Sequence, residues 1–309
     1  MLNKISLSTL ALLFTGCAAK TNPETAAPEQ AATEAPAPAP EAAPASSKTA
    51  AADVQWKAVY PDQPDGPQMS LLSGNPKEGS FSALVKLPAG SASKLHSHPA
   101  SMVGITISGT VTNGRTAEDA QEIPAGSMWT QVSDEAHFTG CTADADCYFI
   151  GHMDGAMGTI PAETAAEAST MVVTNAADID FKPVNPAKPK GPGMFVVSGD
   201  MTSGPFTALV HFPAGAMSPK HSHLASYNAA VVAGSISHGG GDALTTGSHW
   251  FQASGDVHVT GCSSETDCVF YVSMDGAMSM IPAEEAAPTE AAPTEAAPTE
   301  AAPTEAAAE

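Results

Sequence analysis

The chain has few basic residues and no apolar segment long enough to cross a membrane as a stable helix. Only 12 of its 309 residues are Lys or Arg, against 33 Asp or Glu, and the formal net charge is −21. So few basic residues cannot build a substantial phosphate-binding surface, which argues against nucleic acid as a partner. The sequence also lacks a Gly-rich phosphate loop, a Ser-His-Asp set and a paired acid constellation.

The N-terminus has the features of an export signal. Lys4 precedes an apolar run from Ile5 to Phe14, which is shorter than the roughly 20 residues of a spanning helix. The ending Phe14-Thr15-Gly16-Cys17 resembles a bacterial lipoprotein signal that is cut before a lipidated cysteine. The resemblance implies a signal over residues 1–17, lipidation of Cys17 and an anchored protein that faces the periplasm. Ala18 favours the outer membrane of a Gram-negative cell, and an ordinary secretory signal is the alternative.

Two segments are too poor in large apolar residues to form a core. Residues 18–52 are almost entirely Ala, Pro, Glu, Thr and Ser, and residues 285–309 contain four copies of Pro-Thr-Glu-Ala-Ala. We expect a disordered linker in the first segment and a disordered, acidic tail in the second.

The region between these segments contains a duplication. The segment 81–90, Phe-Ser-Ala-Leu-Val-Lys-Leu-Pro-Ala-Gly, returns at 206–215 as Phe-Thr-Ala-Leu-Val-His-Phe-Pro-Ala-Gly, a displacement of 125 residues. The duplication predicts one domain over residues 53–163 and a second over residues 179–284, joined by a linker over residues 164–178.

Each copy has the pattern of an all-β protein. Short apolar or β-branched runs predict strands at residues 81–87, 102–111, 128–132 and 148–153, and turn residues such as Asn113-Gly114 separate them. Several short strands at this spacing are typical of a sandwich or a closed barrel. Residues 161–169 are the one weak helix candidate.

The duplication divides the ten histidines into two groups. Six of them recur at matching positions: His96, His98, His137, His221, His223 and His258. Four occur in one copy alone, and we interpret them as surface or packing residues: His152, His211, His238 and His249.

The shared histidines have the spacing of a metal site. In a strand, residues i and i+2 point to the same face, so His96 and His98 converge, and His137 can join them from a neighbouring strand. Three neutral imidazoles can anchor a divalent transition metal and leave positions open for a ligand. Hydrogen-bonded core histidines are the alternative.

These motifs resemble those of the cupin family. Gly90, His96, His98, Met102 and Gly109 match the first cupin motif, and Gly215, His221, His223, Tyr227 and Gly234 repeat it. The segments from Gly126 to His137 and from Gly247 to His258 resemble the later motif in its ChrR-like form. The resemblance implies two tandem RmlC-like jelly-roll β-barrels, a metal near each barrel centre and a cupin-type dimer.

The cupin pattern normally has glutamate where this chain has Met102 and Tyr227. A site without that carboxylate keeps more positive charge and should favour a small anionic molecule. Zinc or iron is the first expectation for the metal, with copper, manganese and nickel as alternatives, and the Met102 thioether also admits Cu(I). Tyr227 could be a phenolate ligand, a hydrogen-bond donor to substrate or a core residue. The other candidates for the pocket mouth, with core packing as the rival interpretation, are Trp129, Trp250, Gln131 and Gln252.

The cysteines other than Cys17 form two closely spaced pairs. Cys141 and Cys147 flank a short polar loop, as do Cys262 and Cys268, which favours two disulfides in an oxidising periplasm. The alternative is that Cys141 is a metal ligand or a redox thiol.

The sequence thus predicts a lipid-anchored bicupin that binds a divalent metal through three histidines in each barrel. Small-molecule binding or sensing is the preferred function, by likeness to ChrR-type cupins. The alternatives are a three-histidine Fe(II) dioxygenase or an isomerase, and a structural envelope lipoprotein whose barrels are degenerate.

Overall fold

A computed structural model describes residues 44–283, in which the two copies contribute twelve strands each. The first copy comprises β1 (Ser47–Thr49), β2 (Lys57–Ala58), β3 (Gln68–Gly74), β4 (Phe81–Leu87), β5 (His96–Ser97), β6 (Met102–Ser108), β7 (Thr110–Gly114), β8 (Gln121–Pro124), β9 (Met128–Gln131), β10 (Phe138–Cys141), β11 (Cys147–Met153) and β12 (Ile160–Pro161). The second comprises β13 (Val172–Thr174), β14 (Lys182–Pro183), β15 (Gly193–Gly199), β16 (Phe206–Phe212), β17 (His221–Ser222), β18 (Tyr227–Ala233), β19 (Ser235–His238), β20 (Leu244–Thr245), β21 (His249–Gln252), β22 (Thr260–Cys262), β23 (Cys268–Met274) and β24 (Ile281–Pro282).

Helical structure within residues 44–283 is limited to two 3₁₀ turns, Ala51–Asp53 and Ala176–Asp178. No helix among the described residues is long and apolar enough to span a bilayer. The predicted signal, Cys17 and the acidic tail lie outside the described residues.

Each half of the described chain contains one large sheet and two small ones. The large sheets have the orders β13-β9-β6-β11-β4-β3-β2 and β1-β21-β18-β23-β16-β15-β14. The small sheets are β10-β7-β8 with β12-β5, and β20-β19-β22 with β17-β24. The sheets of each half fold into a jelly-roll barrel, as the sequence predicted, and we call the two halves barrel 1 and barrel 2.

The two barrels exchange their first strands. β1 precedes barrel 1 but pairs with β21 of barrel 2, where Ser47 lies opposite Phe251. β13 precedes barrel 2 but pairs with β9 of barrel 1, where Val172 lies opposite Thr130. Residues 47–53 and 172–178 therefore have regular structure, which corrects the prediction that segments 18–52 and 164–178 are linkers throughout. Backbone pairing with the distant barrel overrides their weak local preference.

Strand β4 shows why the long apolar runs are buried on both faces. Ala83, Val85 and Leu87 face a cavity inside barrel 1. Leu84 points the other way and packs between the barrels. Successive side chains of one apolar strand thus point alternately into the barrel and into the core between the barrels.

The core between the barrels is continuous. Leu84, Ile105 and Ile150 of barrel 1 belong to the same buried cluster as Leu209 and Tyr271 of barrel 2. The Tyr271 hydroxyl lies 2.9 Å from Ser82 Oγ across this interface. Each barrel therefore buries apolar side chains of the other.

The prediction of a single strand over residues 102–111 is wrong, because the structure has two strands there. It is divided into β6 and β7 at Gly109, whose φ is 74°. A Cβ at Gly109 would lie 2.9 Å from Cys147 Sγ, and one at Gly234 would lie 2.8 Å from Cys268 Sγ. The motif glycines therefore turn the chain tightly beside a cysteine.

The helix candidate over residues 161–169 is also wrong. Pro161 lies in β12, and residues 162–169 are irregular. Other groups take the hydrogen bonds that a helix would use. Arg115 donates to the carbonyl of Ala166, and the amide of Thr170 donates to the Glu135 carboxylate.

The predicted disulfides are confirmed. Cys141 is bonded to Cys147 and Cys262 to Cys268, with Cα separations of 5.7 and 5.6 Å. Each clasps the hairpin between the end of the small sheet and the following long strand. The alternative that Cys141 is a free redox thiol or a metal ligand is therefore wrong.

Candidate metal centres

The backbone brings the three shared histidines of each barrel together. The amide of His96 donates to the carbonyl of His137 at 3.1 Å, and the amide of His137 donates back at 2.8 Å. His221 and His258 make the same reciprocal pair at 3.0 and 2.8 Å. The predicted convergence of three histidines from neighbouring strands is therefore what the fold produces.

The imidazoles form two nearly identical clusters. In each barrel one ring nitrogen per histidine lies within 4.8 Å of those of the other two. The ring centroids are 4.8, 4.5 and 5.2 Å apart in barrel 1 and 4.8, 4.4 and 5.3 Å apart in barrel 2. Both groups could hold a metal ion.

All six rings are oriented by a backbone carbonyl. In every case Nδ1 donates its proton to a carbonyl oxygen, so Nε2 carries the lone pair. The partners are Lys94 for His96 (2.8 Å), Gly158 for His98 (2.6 Å), Glu135 for His137 (2.9 Å), Pro219 for His221 (2.7 Å), Ser279 for His223 and Asp256 for His258 (3.1 Å).

This orientation leaves lone pairs facing one another. His221 Nε2 and His223 Nε2 are 3.2 Å apart, and neither has a proton to donate to the other. His137 Nε2 is buried and has no hydrogen-bond partner in the part of the chain that the structure describes. A cation between the rings would satisfy these acceptors, so the donor set fits a divalent transition metal.

Burial favours the neutral form of four of these histidines at pH 7. It lowers the pKa of His137 and of His258 to about 4, and it also lowers the pKa of His96 and of His223. Removal of the ring from water is the main cause in each case. Neutral imidazole is the form that binds a metal.

The two barrels differ at the fourth position. Met102 lies opposite Gln131 and Met153, and Tyr227 lies at the equivalent place, opposite Gln252 and Met274. The Tyr227 hydroxyl is 3.2 Å from His258 Nε2. The phenol is buried, and burial raises its pKa far above the usual range.

A cavity of about 640 Å³ opens onto the histidines of barrel 1. Its volume lies within the range of small-molecule sites. The lining includes His96, His98, Met102, and mostly apolar side chains such as Met69, Val85 and Phe149. Lys94 and Asp65 contribute the charged groups of its lining. Barrel 1 therefore combines a donor set with room for a ligand.

One residue of barrel 2 was not assigned to the site by sequence reasoning. His238 is 3% exposed, and its ring centroid lies 4.8 Å from that of His258. Its Nδ1 is 2.8 Å from Thr260 Oγ1, and its Nε2 is 2.8 Å from Gln252 Oε1. Asn113 occupies the matching position in barrel 1. Comparison of the two copies gives no weight to a residue that one copy lacks, and no other signal in the sequence assigned His238 to the site.

The remaining candidates lie away from the cavity mouth. Trp129 and Trp250 are fully buried in their barrel cores, and Gln131 and Gln252 are buried beside Met102 and Tyr227. The three other unshared histidines lie outside both clusters. His152 is 3.1 Å from Ser82 Oγ between the barrels, His211 is 2.9 Å from Asp267, and His249 lies in β21.

Comparison with known proteins supports the fold. The DUF4437 model, described as a domain of unknown function, matches residues 25–160 and again residues 172–302. A dioxygenase candidate from Nostoc punctiforme is 12% identical with a TM-score of 0.57, covering 75% of this chain and 82% of its own. A candidate glyoxylate-induced protein from Pseudomonas aeruginosa is 14% identical with a TM-score of 0.53, covering 78% and 93%. These likenesses show the tandem cupin-type fold alone. No curated protein matches the chain in sequence.

Proposed function

The chain belongs to the DUF4437 family, and we propose that it binds a divalent transition metal in each barrel and a small molecule at the metal of barrel 1. The observation that carries the metal proposal is the anchoring of six Nδ1 atoms by backbone carbonyls, which directs six Nε2 lone pairs into two clusters. Core histidines that merely hydrogen-bond to one another do not need this arrangement. Zinc or iron suits three imidazoles best, with copper, manganese and nickel as alternatives.

The ligand that we propose has an anionic head and an apolar body. In barrel 1 the donor set of three imidazoles, with the Met102 thioether beside it, contains no carboxylate that would reduce the charge of a bound metal. When bound, the metal would supply a Lewis-acidic position for an anion. The mostly apolar wall of the cavity favours a hydrocarbon body.

Octanoate and acetate test this proposal because they share a head and differ in the length of the apolar body. With the Zn²⁺-loaded full chain, we expect octanoate to bind at least about tenfold more tightly than acetate in calorimetry, since each buried CH₂ contributes about 0.8 kcal/mol. Removing the metal should weaken both. Equal affinities, or octanoate binding that does not depend on metal, would contradict the proposal.

A pair of histidine variants locates the binding. His98→Ala removes a donor of barrel 1 and should abolish the metal-dependent binding of octanoate. His211→Ala is the matched control, because His211 lies outside both clusters beside Asp267. A similar loss in both variants would show that the effect is not specific to the barrel 1 donors.

A metal-dependent oxygenase is the second candidate function. It is favoured by the direct opening of a cavity of about 640 Å³ onto His96 and His98, through which a substrate would reach the metal. Dioxygen uptake by the Fe²⁺-loaded chain with the β-diketone acetylacetone as a probe tests it. Repeated turnover would support the oxygenase, whereas binding without uptake would support the binding function.

We also propose that the chain is anchored in the bacterial envelope through Cys17 and faces the periplasm. Support comes from the signal-like N-terminus and from two disulfides, which are typical of oxidising compartments. Cys17→Ser should leave the protein unprocessed or released from the membrane fraction. Unchanged membrane association would contradict the proposed anchor.

A further inference from the structure

We propose that barrel 2 holds its metal with four protein ligands, His221, His223, His258 and the oxygen of Tyr227, whereas barrel 1 holds its metal with three. This inference rests on the proposed metal binding and goes beyond it. It makes barrel 2 a closed site and leaves barrel 1 as the site that has an open position.

The spacing of donor atoms in barrel 2 is the first argument. Two donors bound at 2.0–2.1 Å to one tetrahedral metal are about 3.3 Å apart. His221 Nε2 and His223 Nε2 are 3.2 Å apart, and the Tyr227 oxygen is 3.2 Å from His258 Nε2. Each of these two separations is close to the edge of a coordination tetrahedron, and the three imidazole donor atoms all lie within 4.8 Å of one another.

The position of Tyr227 on its strand is the second argument. Tyr227 begins β18 and lies opposite Gln252 and Met274, just as Met102 begins β6 and lies opposite Gln131 and Met153. The two side chains therefore enter their barrels at equivalent places. A phenolate oxygen is a hard, anionic donor, whereas a thioether is a soft, neutral one, so the two barrels differ in their fourth donor.

The surroundings of Tyr227 are the third argument. The side chain is 4% exposed, and its hydroxyl is directed at His258 rather than at solvent. His238 fills the adjacent wall and is held by Gln252 and Thr260, while barrel 1 has the smaller Asn113 there. Tyr227 and His238 thus line the side of the barrel 2 histidines on which barrel 1 has Met102 and Asn113.

Coordination requires the phenol to lose its proton. Without metal the buried phenol remains protonated and donates to His258 Nε2. When a divalent cation binds, an oxygen–metal bond forms, the O–H bond breaks and one proton leaves to solvent. The imidazoles undergo no loss of protons, because their Nε2 atoms already carry lone pairs.

Copper gives this ligand a direct spectroscopic signature. Cu²⁺ binds nitrogen and oxygen donors more tightly than the other divalent first-row metals, and a phenolate bound to it produces an intense visible charge-transfer band. We expect the copper-loaded full chain to hold two ions and to show this band with the intensity of one phenolate per chain. Resonance Raman excitation within the band should enhance tyrosinate ring modes.

Three variants test the assignment. Tyr227→Phe should abolish the band while the chain still binds copper in barrel 1. Tyr148→Phe is the matched control, since Tyr148 packs against Trp56 outside both clusters, and should leave the band unchanged. Met102→Tyr places a phenol at the equivalent position of barrel 1 and should roughly double the band.

The outcomes separate this inference from the proposed function. Two bound copper ions without a tyrosinate signal in the unsubstituted chain would overturn the four-ligand site and leave metal binding intact. A band that survives Tyr227→Phe would overturn it as well. Copper in neither barrel would overturn both. If Tyr227→Phe does not fold, two results still test the four-ligand site. They are the tyrosinate modes in the Raman spectrum of the unsubstituted chain and the doubled band of Met102→Tyr.

Discussion

At the scale of single residues, burial favours the neutral form of four site histidines, and backbone carbonyls fix the tautomer of all six. Both effects prepare the rings for a metal, and they make the metal-free chain sensitive to acid. Burial lowers the pKa of His137, His238 and His258 to about 4. In an unfolded chain these side chains titrate near 6.5. Protonation therefore favours the unfolded state as the pH falls.

The free energy of unfolding of the metal-free chain should decline as the pH falls from about 6.5 to about 4. In this range the unfolded state binds protons that the folded state does not, and each such histidine contributes up to roughly 1.4 kcal/mol per pH unit. Urea unfolding at several pH values measures the slope. His238→Asn, which installs the residue that barrel 1 has at this position, should reduce it. A stability that does not vary over this range would contradict the prediction.

At the scale of elements, each barrel takes one strand of its large sheet from the segment that precedes the other barrel in the chain. β1 covers the edge of β21, and Lys48 Nζ donates to the carbonyls of His238 and Gly240. β13 covers β9 in the same way. The end of the segment that joins the predicted anchor to barrel 1 is therefore part of the sheet of barrel 2.

Deletion of residues 44–50 should expose β21 selectively. The loss of the β1 partner leaves the β21 edge open, so its backbone amides should exchange with solvent faster, while those of β9 remain protected by β13. Hydrogen-exchange mass spectrometry on the full chain compares residues 249–252 with residues 128–131. Equal exchange at both strands, in the deleted and the full chain, would contradict the role of β1.

The periodic pattern and the duplication were sufficient to predict four strand segments of each copy, both disulfides and the convergence of three histidines, because these depend on local alternation and on repeated spacing. The exchange of β1 and β13 could not be predicted, since both are three-residue strands whose partners lie about 200 and 40 residues away. The break at Gly109 depends on a positive φ that the apolar run conceals. His238 was missed because it occurs in one copy.

At the scale of the whole molecule, the two barrels share a core and should unfold together. Leu209 and Tyr271 are fully buried in that shared core against residues of barrel 1 such as Leu84 and Ile105. Contacts of this kind couple two domains more strongly than a polar interface does.

Leu209→Ala should lower the free energy of unfolding by roughly 2–5 kcal/mol through lost apolar burial and a cavity between the barrels. Denaturant unfolding should show a single transition in the unsubstituted chain. Val172→Ala is the control, because Val172 is 58% exposed and its truncation should have little effect. A cost below about 1 kcal/mol for Leu209→Ala, or two separate transitions in the unsubstituted chain, would contradict a shared core.

The metal content of the full chain, purified without chelators or a histidine tag, tests the central claim most directly. We predict two divalent metal ions per chain, one in His98→Ala, one in the double variant His221→Ala, His223→Ala and two in His211→Ala. Elemental analysis of the folded proteins gives these numbers without any assumption about ligand or activity. A folded parent chain that holds no metal after incubation with Zn²⁺ or Fe²⁺, or variants that lose none, would contradict the claim that the two histidine clusters are metal sites.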